Sequence, residues 1–104
     1  MLKGVIVNLS GTDYEVPPLT LGQLERLQDR LAKAAPGSLD PGTIGTIIEA
    51  AHGALLRNYP DMTRERLAEI IDVGNMVEVF QAVMDISGLK RKEQEAEKQG
   101  AKTD

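Results

Sequence analysis

Apolar and polar positions follow one period at the start of this chain and another after it. Residues 2–9 alternate, with Val5, Val7 and Leu9 on one side and Gly4, Ile6 and Asn8 on the other. Ser10-Gly11 reads as a turn. Thr12–Val16 resumes the alternation with Tyr14 and Val16 on one side, so residues 2–16 predict a β-hairpin that Pro17-Pro18 stops. A two-stranded hairpin is marginal alone in water and must lie on something apolar.

From Leu19 onward the spacing is helical. Thr20 is a good N-cap, Gln23 completes a capping box, and Leu19 and Leu24 are placed as a hydrophobic staple. Leu24, Leu27, Leu31 and Ala34 form the stripe of a first helix over about 20–34, which Pro36-Gly37 ends. Asp40 and Pro41 open a second helix, about 41–58, whose stripe is Ile44, Ile47, Ile48, Ala51 and Leu55. Gly45 and Gly53 sit inside it at a cost of about 1 kcal/mol each relative to Ala, which predicts close approach of a neighbouring element. Tyr59-Pro60 closes this helix.

A short third helix, about 63–71, has Thr63 as N-cap inside a Met62/Leu67 staple and buries Leu67, Ile70 and Ile71. Asp72 is placed to cap a fourth helix, about 74–87, with Met76, Val79, Phe80, Val83 and Ile86 on one face. Val77 and Met84 begin a second apolar strip on that helix, and Gly88 is its stop. The pattern therefore predicts an α+β, mostly α domain over 1–89, an N-terminal hairpin packed on about four helices. A charged tail, 90–104, has no apolar residue larger than Ala and is expected to be disordered or a solvated helix.

Composition narrows the chemistry. The 104 residues suit one domain, and with only three aromatics (Tyr14, Tyr59 and Phe80) the core must be aliphatic. Without cysteine there is no disulfide, thiolate metal site or thiol nucleophile. The start lacks the apolar core of a signal peptide, and no run approaches the roughly 20 apolar residues of a membrane helix, so a soluble protein is expected. Residues 1–89 carry 7 basic and 12 acidic side chains, residues 90–104 carry 5 and 4, and the net charge is −4. An acidic body argues against phosphate-backbone binding, and Lys90-Arg91-Lys92 is a short basic run followed at once by acids.

No catalytic set emerges. The lone His52 reads as a partly buried, hydrogen-bonded side chain. Ser10, Ser38 and Ser87 lie in turn or cap contexts. Glu25/Asp29 and Glu65/Glu69 stand four apart but have Arg26, Arg30, Arg64 and Arg66 beside them, as on a solvated helix face, and no metal-binding spacing occurs. The scattered glycines form no phosphate loop. No catalytic, cofactor or metal residues are assigned, and an enzyme is the least expected class. What remains is hydrophobic. Methionine suits adaptable binding surfaces, and Met76, Val77, Phe80, Met84 and Leu89 are the candidate partner-binding positions; the alternative is that the fourth helix is simply central and buried on most sides.

Two stretches carry a resemblance. Val16-Pro17-Pro18-Leu19-Thr20-Leu21-Gly22-Gln23-Leu24-Glu25 follows a short hairpin. Leu67-Ala68-Glu69-Ile70-Ile71-Asp72-Val73-Gly74-Asn75-Met76 leads into Val79-Phe80-Gln81-Ala82-Val83-Met84 and Ser87-Gly88-Leu89. In these blocks the chain resembles the small tail assembly chaperones of long-tailed bacteriophages. The resemblance implies a non-enzymatic protein of the host cell cytoplasm, absent from the mature virion, that binds the tape measure protein and keeps it soluble until tail tube protein polymerises around it. It further implies that a longer, frameshifted form, extended beyond 90–104, could contact tail tube protein. No nucleic acid, membrane or cofactor is implied, and self-association is an equal candidate for covering the second strip of the fourth helix. The competing readings are a small structural tail or head–tail joining protein that stays in the particle, and a DNA-binding regulator, which the acidic body disfavours.

Overall fold

The hairpin forms where the alternation places it. A computed structural model describes residues 1–35 and 37–89, so the expectations for 90–104 lie outside the described residues. Strands β1 (Val5–Leu9) and β2 (Thr12–Val16) pair antiparallel, with Val7 opposite Tyr14 and Leu9 opposite Thr12. Ser10 and Gly11 both have positive φ, 52° and 87°, the signature of a two-residue type I′ turn, whose twist matches that of the strands. Val7, Leu9, Tyr14 and Val16 are buried, and Ile6 faces out.

Four helices follow: α1 (Leu21–Lys33), α2 (Pro41–Leu56), α3 (Arg64–Ile70) and α4 (Met76–Ile86). Each is two or three residues shorter than its pattern suggested, because cap residues and last turns lie outside regular helix. Cap chemistry fixes the starts. Thr20 accepts the Gln23 N–H at 3.1 Å while the Gln23 side chain accepts the Thr20 N–H at 2.8 Å, a complete capping box. Thr63 caps α3 through the Arg66 N–H, with both staple partners, Met62 and Leu67, buried. Before α4 the turn closes on itself: the Asp72 carboxylate accepts the Asn75 N–H at 2.9 Å and the Asn75 side chain accepts the Asp72 N–H at 2.8 Å, while Asn75, the N-cap, makes no side-chain bond into the helix. The α4 end is a Schellman turn, with Gly88 at φ 75°, Leu89 N–H on the Met84 carbonyl and Gly88 N–H on the Asp85 carbonyl.

Helix α2 is the centre, packed on α1, α3, α4 and β2. Its buried side is Thr43, Thr46, Ile47, Ala50, Ala51, Ala54 and Leu55. This differs from the expected stripe: Ile44 is exposed and Ile48 only half-buried. The helix is apolar nearly all round, so period alone cannot orient it. Threonines enter the core because their hydroxyls are satisfied locally, Thr46 by the Gly42 carbonyl and Thr43 by Asp40. The expected crowding at its glycines is mild. A Cβ at Gly45 would lie 3.5 Å from the Arg30 guanidinium, and one at Gly53 would lie 3.4 Å from Gln23 and 3.5 Å from Leu19, all ordinary contacts or nearly so.

Gly4 is the glycine the fold requires. A Cβ there would fall 1.8 Å from the Val16 carbonyl oxygen, inside the backbone of β2. The segment before β1 is tied down on that side: Asn58 accepts the Leu2 N–H at 2.7 Å and donates to the Leu2 and Glu15 carbonyls, and Gly4 N–H donates to the Glu15 carboxylate. Tyr59 completes this corner by accepting the Glu15 N–H at 2.8 Å and meeting Tyr14 edge-on, ring centres 5.3 Å apart. Gly4→Ala therefore lowers stability by about 1–3 kcal/mol, whereas Gly45→Ala raises it by about 0.5–1 kcal/mol through better helix propensity and a stiffer unfolded chain. Urea unfolding of both variants beside the parent checks the two signs.

Candidate docking groove

Tilting α2 by its small and threonine residues leaves a surplus. Ile44 and Ile48, displaced from the core, face the α3–α4 corner across an open apolar groove of about 170 Å³. Leu39 lines it as well. The other wall is Ala68 from α3, then Ile71, Asp72 and Val73 from the connection, and Met76 from the start of α4. Three of these side chains lie well out in solvent: Val73 is 70% exposed, Leu39 57% and Ile44 36%. A cluster of large apolar side chains left open marks an interaction site more often than chance exposure. The volume is well below the roughly 300–1,000 Å³ of pockets that enclose small ligands. It has room for a large side chain presented by another surface.

Of the sequence candidates, Met76 lines this groove from beneath while being nearly buried, and Phe80 is a core residue. Val77, Met84 and Leu89 are half-buried and pack against the core, so the second strip of α4 is largely covered within the monomer. Met84 and Leu89 also occupy the two positions that a Schellman turn brings together through a hydrophobic contact, which gives them a structural role at the end of α4. The exposed apolar side chains of this groove are instead Leu39, Ile44 and Val73, which sequence reasoning missed. Leu39 and Val73 sit in connections, where no period exists to single them out, and Ile44 fitted the stripe read as core.

The groove walls are held firmly. The Ile70 carbonyl accepts bonds from the Ser10 hydroxyl and the Asn75 side-chain amide, both 3.1 Å, so hairpin turn, α3 and the α4 cap meet there. On the opposite wall, Asp40 accepts the Thr43 N–H at 2.9 Å, the Thr43 hydroxyl at 2.8 Å and the Ser38 hydroxyl at 2.7 Å. These bonds, the Thr43 N–H first, hold the Asp40 carboxyl at a pKa of about 2. The other chemical candidates are used structurally. His52 donates through Nε2 to the Met62 carbonyl at 2.8 Å, and Ser87 accepts the Leu19 N–H at 3.0 Å. Glu25, Asp29, Glu65 and Glu69 are exposed, and among the described residues no three His, Asp or Glu side chains gather as a metal set. No described helix is long and apolar enough to cross a membrane.

No protein-family model, no curated protein and no solved structure matches the chain.

A lowered carboxyl pKa means that Asp40 stabilises the fold fully above its ordinary value of 3.8 and loses that effect as pH falls through about 2. Asp40→Asn, which keeps a cap but removes the charge, is thus less stable than the parent at neutral pH. The gap holds down to about pH 4 and closes towards pH 2, as urea midpoints measured across that range will read.

Proposed function

We propose that this chain is a tail assembly chaperone of a long-tailed bacteriophage, acting in the host cytoplasm on the tape measure protein. The observation that carries the reading is the groove between α2 and the α3–α4 corner: apolar, open, and sized for single anchoring side chains. The two sequence blocks that carry the resemblance fall at the entry into α1 and across α3 and α4.

The mechanism follows from magnitudes. An anchor side chain fully buried in the groove contributes about 1.5–3 kcal/mol, while even millimolar affinity needs about 4 kcal/mol after association costs. One groove therefore holds a client weakly. A long helical client with apolar residues at i, i+3, i+4 and i+7 offers many such anchors, and helix-in-groove docking matches that spacing. Several copies along one client shield its apolar face and are released singly when tube subunits compete for it. The acidic body, −5 over residues 1–89, keeps a loaded complex dispersed through mutual repulsion.

Co-expression with the tape measure protein is expected to raise its soluble fraction and to co-purify the two, and mass spectrometry of finished virions is expected to lack this chain. Val73→Asp places a charge in the groove at a solvent-facing position. Client affinity drops by about tenfold or more, while the unfolding free energy stays within about 0.5 kcal/mol of the parent. Client binding unaltered by Val73→Asp together with Ile44→Asp would remove the groove from this role.

A further inference from the structure

We infer that the outer edge of β1 is a self-pairing surface, and that two copies join there into one four-stranded antiparallel sheet. This rests on the hairpin and not on the groove or the proposed client.

In an antiparallel pair, main-chain groups point alternately into the ladder and away from it. On β2 the outward groups include those of Glu15, whose N–H meets Tyr59 and whose carbonyl meets Asn58. Opposite Glu15 stands Ile6, and opposite Asp13 stands Asn8. The main-chain N–H and C=O of Ile6 and Asn8 therefore point away from β2, and among the described residues nothing bonds to them. One edge of the sheet is covered by the α2 corner and the other is left open.

Native proteins usually guard an open edge with Lys, Pro, a bulge or a covering element. Residues 4–9, Gly-Val-Ile-Val-Asn-Leu, contain no charge and no Pro, and the hairpin register is regular. The segment before β1 offers no cover, because Asn58 draws Leu2 to the β2 side. What fits the edge is a second β1. With Val7 on a two-fold axis, Ile6 of each copy lies opposite Asn8 of the other, and their outward donors and acceptors satisfy each other. No like charges meet in that register, and Ile6, 57% exposed, gains cover.

Sedimentation equilibrium of the full chain over a wide concentration range, with hydrogen exchange of the Ile6 and Asn8 amides at both ends of it, tests the pairing. A dimer is expected, with both amides exchanging more slowly at high concentration. Ile6→Pro removes one outward donor per copy without touching the hairpin ladder and weakens the dimer by roughly tenfold or more; Ile6→Lys, which keeps the strand backbone, has the same direction if the proline variant fails to fold. A chain monomeric throughout overturns the proposal. So does a dimer in which those amides exchange freely, which would locate the contact elsewhere, and so does a monomer whose amides are protected only when tape measure protein is added.

Discussion

Close approach to α2 is the constraint on which the rest of this structure depends. With one Phe and two Tyr in the chain, few large rings are available to span gaps between elements; Phe80 lies in the core and Tyr14 and Tyr59 meet at one corner. The core must be filled by bringing backbones together. Ala50, Ala51 and Ala54, all essentially inaccessible, give α2 a face on which neighbouring elements can settle, and Thr43 and Thr46 extend it towards the N-terminus. Large aliphatic side chains fill the space around that face, Leu9, Ile47, Leu55, Leu67, Val79 and Val83 being among the fully buried ones.

That choice has a consequence at the surface. A helix that buries its small residues turns larger ones outward, and Ile44 and Ile48 are the ones turned. The apolar groove is therefore a by-product of how the core is filled, retained at an orientation the fold cannot change without losing its tightest contacts. Meanwhile the polar corner at Arg57, Asn58 and Tyr59 binds hairpin to helix by hydrogen bonds to the main chain: Arg57 to the Pro18 carbonyl, Asn58 to Leu2 and Glu15, Tyr59 to Glu15. Such bonds set the position of the strands more than they add stability, each contributing about 1 kcal/mol. The exposed Arg30–Glu49 ion pair between α1 and α2 adds little.

Where sequence reading succeeded, the signal was local. The Thr20/Gln23 box, Asp40 before Pro41 and Gly88 after the last helix are all short-range geometry, and each appears with its bonds formed, while both residues of the Met62/Leu67 staple are buried. The hairpin was legible from alternation, because its buried face is strictly every second residue from Val7 to Leu9 and from Tyr14 to Val16. The orientation of α2 was legible only in part: Ile47, Ala51 and Leu55 are buried as read, but Ile44 and Ile48 are turned out, since the helix is apolar nearly all round and since Ala and Thr count for little beside Ile in a pattern. The groove was missed for the same reason: two of its exposed residues lie in connections, and the third looked like core. Met76, expected on the inner face of the fourth helix, is buried there and also lines the groove.

A groove built by helix ends and connections would ordinarily be a soft target, because loops pay ordering entropy on contact. Here both walls are fixed beforehand. Asp40 ties Ser38 to Thr43 on one side, and on the other the mutual Asp72–Asn75 bonds and the doubly bonded Ile70 carbonyl hold the chain from Ile70 to Met76 in place. The link from Ser10 to Ile70 makes the hairpin turn part of the same frame. Little conformational freedom is left to lose when a side chain enters. For the proposed docking of one anchor at a time, with its small apolar area, such preorganisation would decide whether the modest transfer energy survives as net affinity or is consumed in ordering the site itself.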